Sequence, residues 1–256
     1  MTTNPIEQLA FSAGMSAYLY GLPLVETMRT AAQMTAVPAP QDNGRAPLNQ
    51  FGHAARPWIH SDRDVVTPAN DLLYSMAWLD LADEPVVLSV PAEAQRYWVM
   101  ALLDAFTNNF LNIGARMTGG RATRYAITAP GWQGQLPDGM VQLASPTPLV
   151  WVLGRTLVDD LDDLHTAREL QLQFTLAPLS GMAKPARAYN RYLAPGDTPA
   201  LAFFDNLARG LADNPPPPCD RALVDSYSRA GIRAGMPVNS SVLDPAQQRG
   251  LTAGYT

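Results

Sequence analysis

The apolar positions change period along the chain. From residue 5 to about residue 22 they recur at helical spacing, with Asn4 placed to cap, Pro5 at the first helical position and Glu7 three residues after the cap. Pro23 lacks an N–H and its ring crowds the preceding turn, so it is expected to kink or end that helix; Leu24, Val25 and Met28 carry a second helical piece to about Thr35. Residues 37–63 are rich in Pro, Gly, Asn and Gln and read as a long ordered loop, a length that usually serves function or covers something. From Val65 to Val158 the pattern shortens to β signals. PVVLSV, RYWVMALLDAF, RYAITA, MVQLAS and LVWVLGRTLV are separated by turn chemistry such as Met117-Thr-Gly-Gly. Several short strands without helical crossovers predict an antiparallel sandwich or barrel rather than a doubly wound sheet.

Helical spacing then returns. A helix is expected over about 160–176, with Leu161, Leu164, Leu172 and Leu176 on one side and the acids of the 159–163 run capping its solvated start. Another opens at Thr198-Pro199, with Leu201, Phe204, Leu207 and Leu211 on one face. Asn214 and the prolines 215–218 form a stiff extended spacer, and short helical pieces at about 220–230 and 245–251 finish the chain. The predicted fold is therefore mainly β with helical additions: an antiparallel β-sandwich flanked by N-terminal and C-terminal helices. The expected division is a helical segment over 1–35, a covering loop over 36–64, a sandwich with its closing helix over 65–180 and a helical extension over 181–256.

Composition narrows the function classes. A chain of 256 residues with 47% hydrophobic residues can bury a large core, and its net charge of −5 gives no positive field for a nucleic-acid backbone. Lys184 is the only lysine, so Schiff-base chemistry has one candidate nucleophile and nothing marks it. The single cysteine, Cys219, can form neither an internal disulfide nor a thiolate metal site, which fits a reducing compartment. The N-terminus has no basic start followed by an apolar run, and no segment approaches the ~18 consecutive apolar residues of a membrane span. A cytoplasmic protein without membrane or nucleic-acid partners is expected. No Gly-rich dinucleotide turn or phosphate loop is present, so no cofactor is expected.

A family resemblance sits on specific residues. AYLYGLPLV (17–25), NQFGH (49–53), VVTPANDLLYSMAWLDL (65–81), EPVVLSVP, RYWVMALLDAFTNNF, the Gly114-Ala-Arg-Met-Thr-Gly-Gly turn, GW-x-G-x-LP-x-G and LVWVLGRT resemble the domain of unknown function 1254 family. Order and spacing match over most of 17–180, and the Asn-Pro-rich linker near Asn214 is similar too. The resemblance implies an N-terminal β-sandwich with helical additions. In that family a second β domain, the domain of unknown function 1214, often follows; it is absent here, so a short stand-alone member or a fragment is expected. The resemblance supplies no established reaction. The family's usual Pro-Asn-x-Asp-Thr-Leu-Tyr-Ser is matched at Asp71, Leu73, Tyr74 and Ser75, with Ala69 in the Asn position, Leu72 in the Thr position and Asn70 in the variable one.

Candidate chemistry centres on that motif. Asp71 and Tyr74 in one turn would set a carboxylate base or orienter beside a phenol donor, with Asn70, Ser75 and Trp78 as substrate contacts. The other reading is structural: Asn70 and Asp71 bond nearby backbone, and Tyr74 beside Trp78 is core. Asp104, Thr107, Asn108, Asn109 and Asn112 form a second polar group among apolar residues, which either fixes the fold or meets a ligand. Arg116 either pairs with Asp71 or Asp104 or clamps a substrate carboxylate. His53, which matches the family pattern, is a candidate base or donor, or else ties the loop to the sandwich. Phe51 and the neighbouring aromatic residues line a pocket or fill the core. His53 and His60 near Asp62 and Asp64 lack a metal-ligand spacing such as HExxH, so no metal is expected.

The expected function is a cofactor-independent enzyme doing proton-transfer chemistry on a small organic molecule, of isomerase, cyclase, lyase or hydrolase type. Its site is expected in a cavity between the N-terminal helices, the long loop and the sandwich. Asp71, Tyr74, Arg116 and His53 are the catalytic candidates; Asn70, Ser75, Trp78, Asp104, Asn108 and Phe51 are the substrate contacts. The alternative is a non-catalytic small-molecule-binding or self-assembling module, in which a sandwich without its usual neighbour covers that surface by homo-oligomerisation.

Overall fold

The computed structural model describes residues 4–62, 68–182 and 196–256. The chain divides into two compact units: a helical one built from Met1–Gln33, Ala105–Thr107 and Ala188–Thr256, and a β unit built from Met34–Asp104 and Asn108–Arg187.

The β unit is a pair of sheets. The first has five strands in the order β1 (Gly52–His53), β2 (Leu72–Asp80), β8 (Leu149–Leu157), β4 (Trp98–Asp104) and β5 (Asn109–Gly114). The second has four, in the order β7 (Met140–Ala144), β6 (Thr123–Thr128), β3 (Val86–Val90) and β9 (Thr175–Pro178). Neighbours are antiparallel throughout, except that β6 and β7 run parallel. The antiparallel sandwich predicted from the strand spacing is thus the observed architecture. Its core is the layer where Leu79, Leu88, Met100, Ile127 and Val152 meet, with the Trp98 and Phe174 rings 5.0 Å apart at one end.

In the β unit three sequence expectations change. The Asn70-Asp71 interruption is shorter than expected, because β2 begins at Leu72 and runs with Tyr74 and Ser75 inside it, buried on both faces. The helix expected over 160–176 is reduced to α3 (Leu164–Gln171). It stops there because Phe174 turns back into the core and the chain continues as β9. The acids before it make a turn instead of a cap: Asp160 Oδ1 accepts from the N–H groups of Asp162 and Asp163, and the Asp163 carboxylate grips both terminal nitrogens of Arg96. That grip pulls the Asp163 carboxyl down to about 2.

In the helical unit, Pro23 does not divide the first helix. The helix α1 spans Pro5–Thr35, Asn4 Oδ1 accepts from Ile6 N–H at its start, and Pro23 lies inside it. One missing N–H costs a single intrahelical bond, and buried Gly21, Leu24 and Val25 hold the turn on either side. The short α2 (Ala115–Thr118) belongs to the β unit. Of the remaining helices, α4 (Pro199–Asp213) and α6 (Pro245–Tyr255) start at capped Xaa-Pro steps, while α5 (Arg221–Ser226) starts without a side-chain cap. Thr198 Oγ1 accepts from Leu201 N–H, and Asp244 forms a capping box with Gln247. The helix α6 crosses α1 at near-backbone contact: a Cβ on Gly250 would stand 2.3 Å from the Glu7 carbonyl oxygen. Arg249 pairs with Glu7 beside that crossing. No helix among the described residues is long and apolar enough to cross a membrane.

Candidate functional site

The pairing of β1 with β2 sets the site. The register places Gly52 opposite Met76 and His53 opposite Ser75. Opposed residues of an antiparallel pair share a face, so His53 and Ser75 point to the side that Ala77 and Leu79 fill between the sheets. Tyr74 and Met76 point the other way, into a separate cluster with Ala54 and Trp58.

His53 Nδ1 and Ser75 Oγ are 2.9 Å apart, with Ser75 wholly buried and His53 half-buried. The Phe51 ring stacks on the imidazole at 5.2 Å. Across the sheet from Ser75 stands Gly154, where a Cβ would fall 2.9 Å from Ser75 Cβ and 2.6 Å from Met100 Sδ. Glycine there and a small residue at 75 are the same steric requirement seen from two strands.

The helix α3 supplies the polar surroundings. Gln171 Nε2 donates to the carbonyls of Tyr74 and Ala54, at 3.0 and 3.3 Å, tying β1 to β2 beyond their own ladder. Gln171 Oε1 and Thr156 Oγ1 are buried without a hydrogen-bond partner among the described residues. One turn before Gln171, Arg168 Nη2 donates to Asp42 Oδ1 at 3.2 Å, while its buried Nη1 has no partner there. Burial, with the Arg168 charge adding to it, holds the His53 imidazole down at about 4, below its ordinary 6.5. At pH 7 the ring is neutral and one of its nitrogens has a free lone pair.

Asp42 connects this group to open space. It lines a cavity of about 260 Å³ together with Asn43, Ala54, Arg56, Trp58 and Asp62. Arg56 and Asp62 close one side as a two-pronged pair, both contacts at 2.9 Å. A second cavity of about 450 Å³ is lined by Glu93, Arg96, Tyr97, Asp159 and Glu169. There Arg96 is already committed to Asp163 and to the Leu157 carbonyl.

The sequence candidates fall into different places. His53, Ser75 and Phe51 come together. Asn70 and Asp71 are exposed in the bend before β2, where the Asp71 carbonyl accepts from Val158 N–H. Tyr74 lies on the opposite face from Ser75; its hydroxyl accepts from Ala69 N–H at 2.9 Å and its ring meets Trp58 edge-on. Trp78 is buried and stacked on Trp151, its β8 register partner, at 5.2 Å. Asp104 closes the β4–β5 hairpin by accepting from the N–H and the side-chain amide of Asn108, across Thr107 in the left-handed region. Through Val150 it aligns with Leu79, four residues beyond Ser75, or about 13 Å along the strand. Arg116 is exposed on α2, and Gly114 beside it is three strands across from Tyr74, about 14 Å away. Sequence reasoning missed Arg168, Gln171 and Asp42. Gln171 carried a usable signal, as a polar residue at core spacing from Leu164 and Ala167. Arg168 and Asp42 carried none. Among the described residues no three His, Cys, Asp or Glu side chains group as metal ligands do.

The family model described as protein of unknown function (DUF1254) matches residues 48–178. No curated protein matches the chain. Among solved structures, the VPA0106 protein from Vibrio parahaemolyticus superposes with a TM-score of 0.73 at 24% identity, over 96% of this chain and 56% of that one. It shares the fold, and the present chain spans little more than half its length. An uncharacterized protein from Burkholderia cenocepacia gives a TM-score of 0.37 at 13% identity, over 72% of this chain and 53% of that one.

Proposed function

This chain belongs to the DUF1254 family of proteins of unknown function, and we propose that it is a cytoplasmic, cofactor-independent enzyme that moves a proton on a small organic molecule. His53 is the group that takes and returns the proton. The observation that carries this reading is the 2.9 Å contact between His53 Nδ1 and Ser75 Oγ. With the proton on Nδ1 donated to Ser75 Oγ, Nε2 keeps its lone pair for a substrate C–H or O–H. Ser75 is too buried to meet a substrate and acts as a positioning residue. In this reading Asp71 and Tyr74 keep the local structure.

A pool of small organic acids, ketones and lactones, incubated with the protein in D2O, tests it by mass spectrometry. At least one compound should gain deuterium as the C–H proton leaves to Nε2 and a solvent deuteron replaces it. His53→Gln should slow that exchange by at least about a hundredfold, the usual worth of a general base. Ser75→Ala should slow it less. Exchange at the wild-type rate in His53→Gln, or no exchange with the wild type, would sink the reading.

A second reading, a self-assembling module without chemistry, is favoured by one surface. Phe11, Met15 and Leu19 recur every fourth residue on α1 as an exposed apolar stripe, with Leu19 68% exposed. Sedimentation at several concentrations should then show a mass that rises with concentration in the wild type and stays monomeric in Leu19→Glu. A constant monomer mass in both removes this reading.

A further inference from the structure

We infer that the outer face of the five-stranded sheet carries a binding site of its own, where Arg155 takes the carboxylate of a small organic acid with an aromatic body. It is separate from the His53 chemistry, because His53 and Ser75 point to the opposite face of that sheet.

The strand β8 is the third of the five, and its side chains alternate in burial. Val150, Val152, Gly154 and Thr156 face inward and are buried, whereas Trp151, Leu153, Arg155 and Leu157 face outward and are partly exposed. A charge on the middle strand of a sheet is costly to desolvate unless something pairs with it. Arg155 has no such partner: among the described residues its guanidinium makes no ion pair, hydrogen bond or ring contact. The register explains why. Tyr74 and Val99 flank it on β2 and β4, Leu153 and Leu157 adjoin it along β8, and none of these is acidic. The guanidinium is also within a ligand's reach, since none of its nitrogens is buried as Nη1 of Arg168 is.

The protein has no spare acceptor to bring to it on that side. The buried polar atoms left without a partner there, among the described residues, are the indole N–H groups of Trp58, Trp78 and Trp151, and an indole N–H only donates. Trp58 clusters with Tyr74 and Met76, and Trp78 stacks on Trp151, which places all of them on the outer side. The acceptor for Arg155 therefore comes from outside the chain. A planar carboxylate takes two parallel N–H bonds from a guanidinium, and its one charge matches the one cation. A phosphate dianion would leave a charge unmatched beside apolar side chains. Partly exposed Val99 and Leu153 give the body of the acid a surface, and Trp151, about 13 Å along β8 from Arg155, ends that surface in an aromatic ring.

3-Phenylpropionate is the probe, with 3-phenylpropionamide, 3-phenylpropylamine and inorganic phosphate as controls, and calorimetry gives the affinities. The acid should bind, and the three controls should be weaker by at least about tenfold, the worth of one charge-assisted bond. Arg155→Gln should lose about tenfold or more in affinity while melting at or above the wild-type temperature, because its guanidinium has no partner in the fold. Arg155→Lys, which keeps the charge without the fork, should fall between the two. His53→Gln should bind the acid as the wild type does, so this site and the proton-transfer reading fail or stand separately. Equal binding of acid and amide, unchanged affinity in Arg155→Gln, a marked drop in its melting temperature, or no binding by the acid would each overturn the inference.

Discussion

Between pH 6.5 and about 4 the β unit is expected to lose about 3 kcal/mol of folding stability through His53 alone. Burial and the Arg168 charge hold the folded imidazole near 4, whereas an unfolded one titrates near 6.5. In the window between those values the unfolded chain carries the extra proton, so stability rises with pH there. The loss therefore begins as the pH falls below 6.5 and is complete near 4. Denaturant midpoints measured from pH 8 to pH 4 should fall steeply for the wild type and much less for His53→Gln, which has no imidazole to charge. A His53→Gln profile parallel to the wild type would refute the expectation. A separate loss lies at lower pH. Arg96 holds the Asp163 carboxyl near 2 against an ordinary 3.8, so that contribution is present above 3.8 and disappears as the pH falls through 2.

Gly250→Leu is expected to destabilise the helical unit by about 3 kcal/mol or more, because α1 and α6 have no space between them at that point. Even the Cβ of alanine would stand 2.3 Å from the Glu7 carbonyl oxygen, 2.7 Å from Ala10 Cβ and 2.9 Å from the Phe11 nitrogen. Two of those three atoms are helix backbone, which cannot swing aside as a side-chain tip can. The alanine variant makes the sharper test because its local effect has the opposite sign. In a solvent-facing helix position Gly→Ala stabilises by about 1 kcal/mol, so a net loss at Gly250 measures the crossing itself. Thr252→Ala, on the exposed side of the same helix, should be neutral or slightly stabilising. A stabilised Gly250→Ala protein by thermal or denaturant melting would mean that the helices can part without cost.

The fold was legible wherever one local rule decided the outcome. The strands β3, β4, β6, β7 and β8 lie in the β-branched and aromatic runs that predicted them, and α4 and α6 begin at the Thr-Pro and Asp-Pro steps that suit a cap and a first turn. Local rules failed where tertiary packing outweighed them. Pro23 looked like a break, but a long, well-buried helix tolerates one absent hydrogen bond. Tyr74 and Ser75 looked like a polar interruption, but a strand interior accepts a serine hydroxyl once another strand brings it a partner. The polar group around Asp104 and Asn108 was open to two readings, fixing the fold or meeting a ligand, and its hydrogen bonds close a hairpin within five residues. For the candidate site, the sequence contained His53 and Ser75 without any sign that they touch. Their meeting depends on β1, two residues long, which no periodicity can reveal.

That short strand makes chain length itself a control on which side chain meets Ser75. A slip of one residue in its pairing would turn His53 from Ser75 to the face that carries Tyr74 and Trp58, and the imidazole would lose its partner without any change of amino acid. A variant shifted by one position at His53 would keep the sandwich and, on the proposed reading, lose the base.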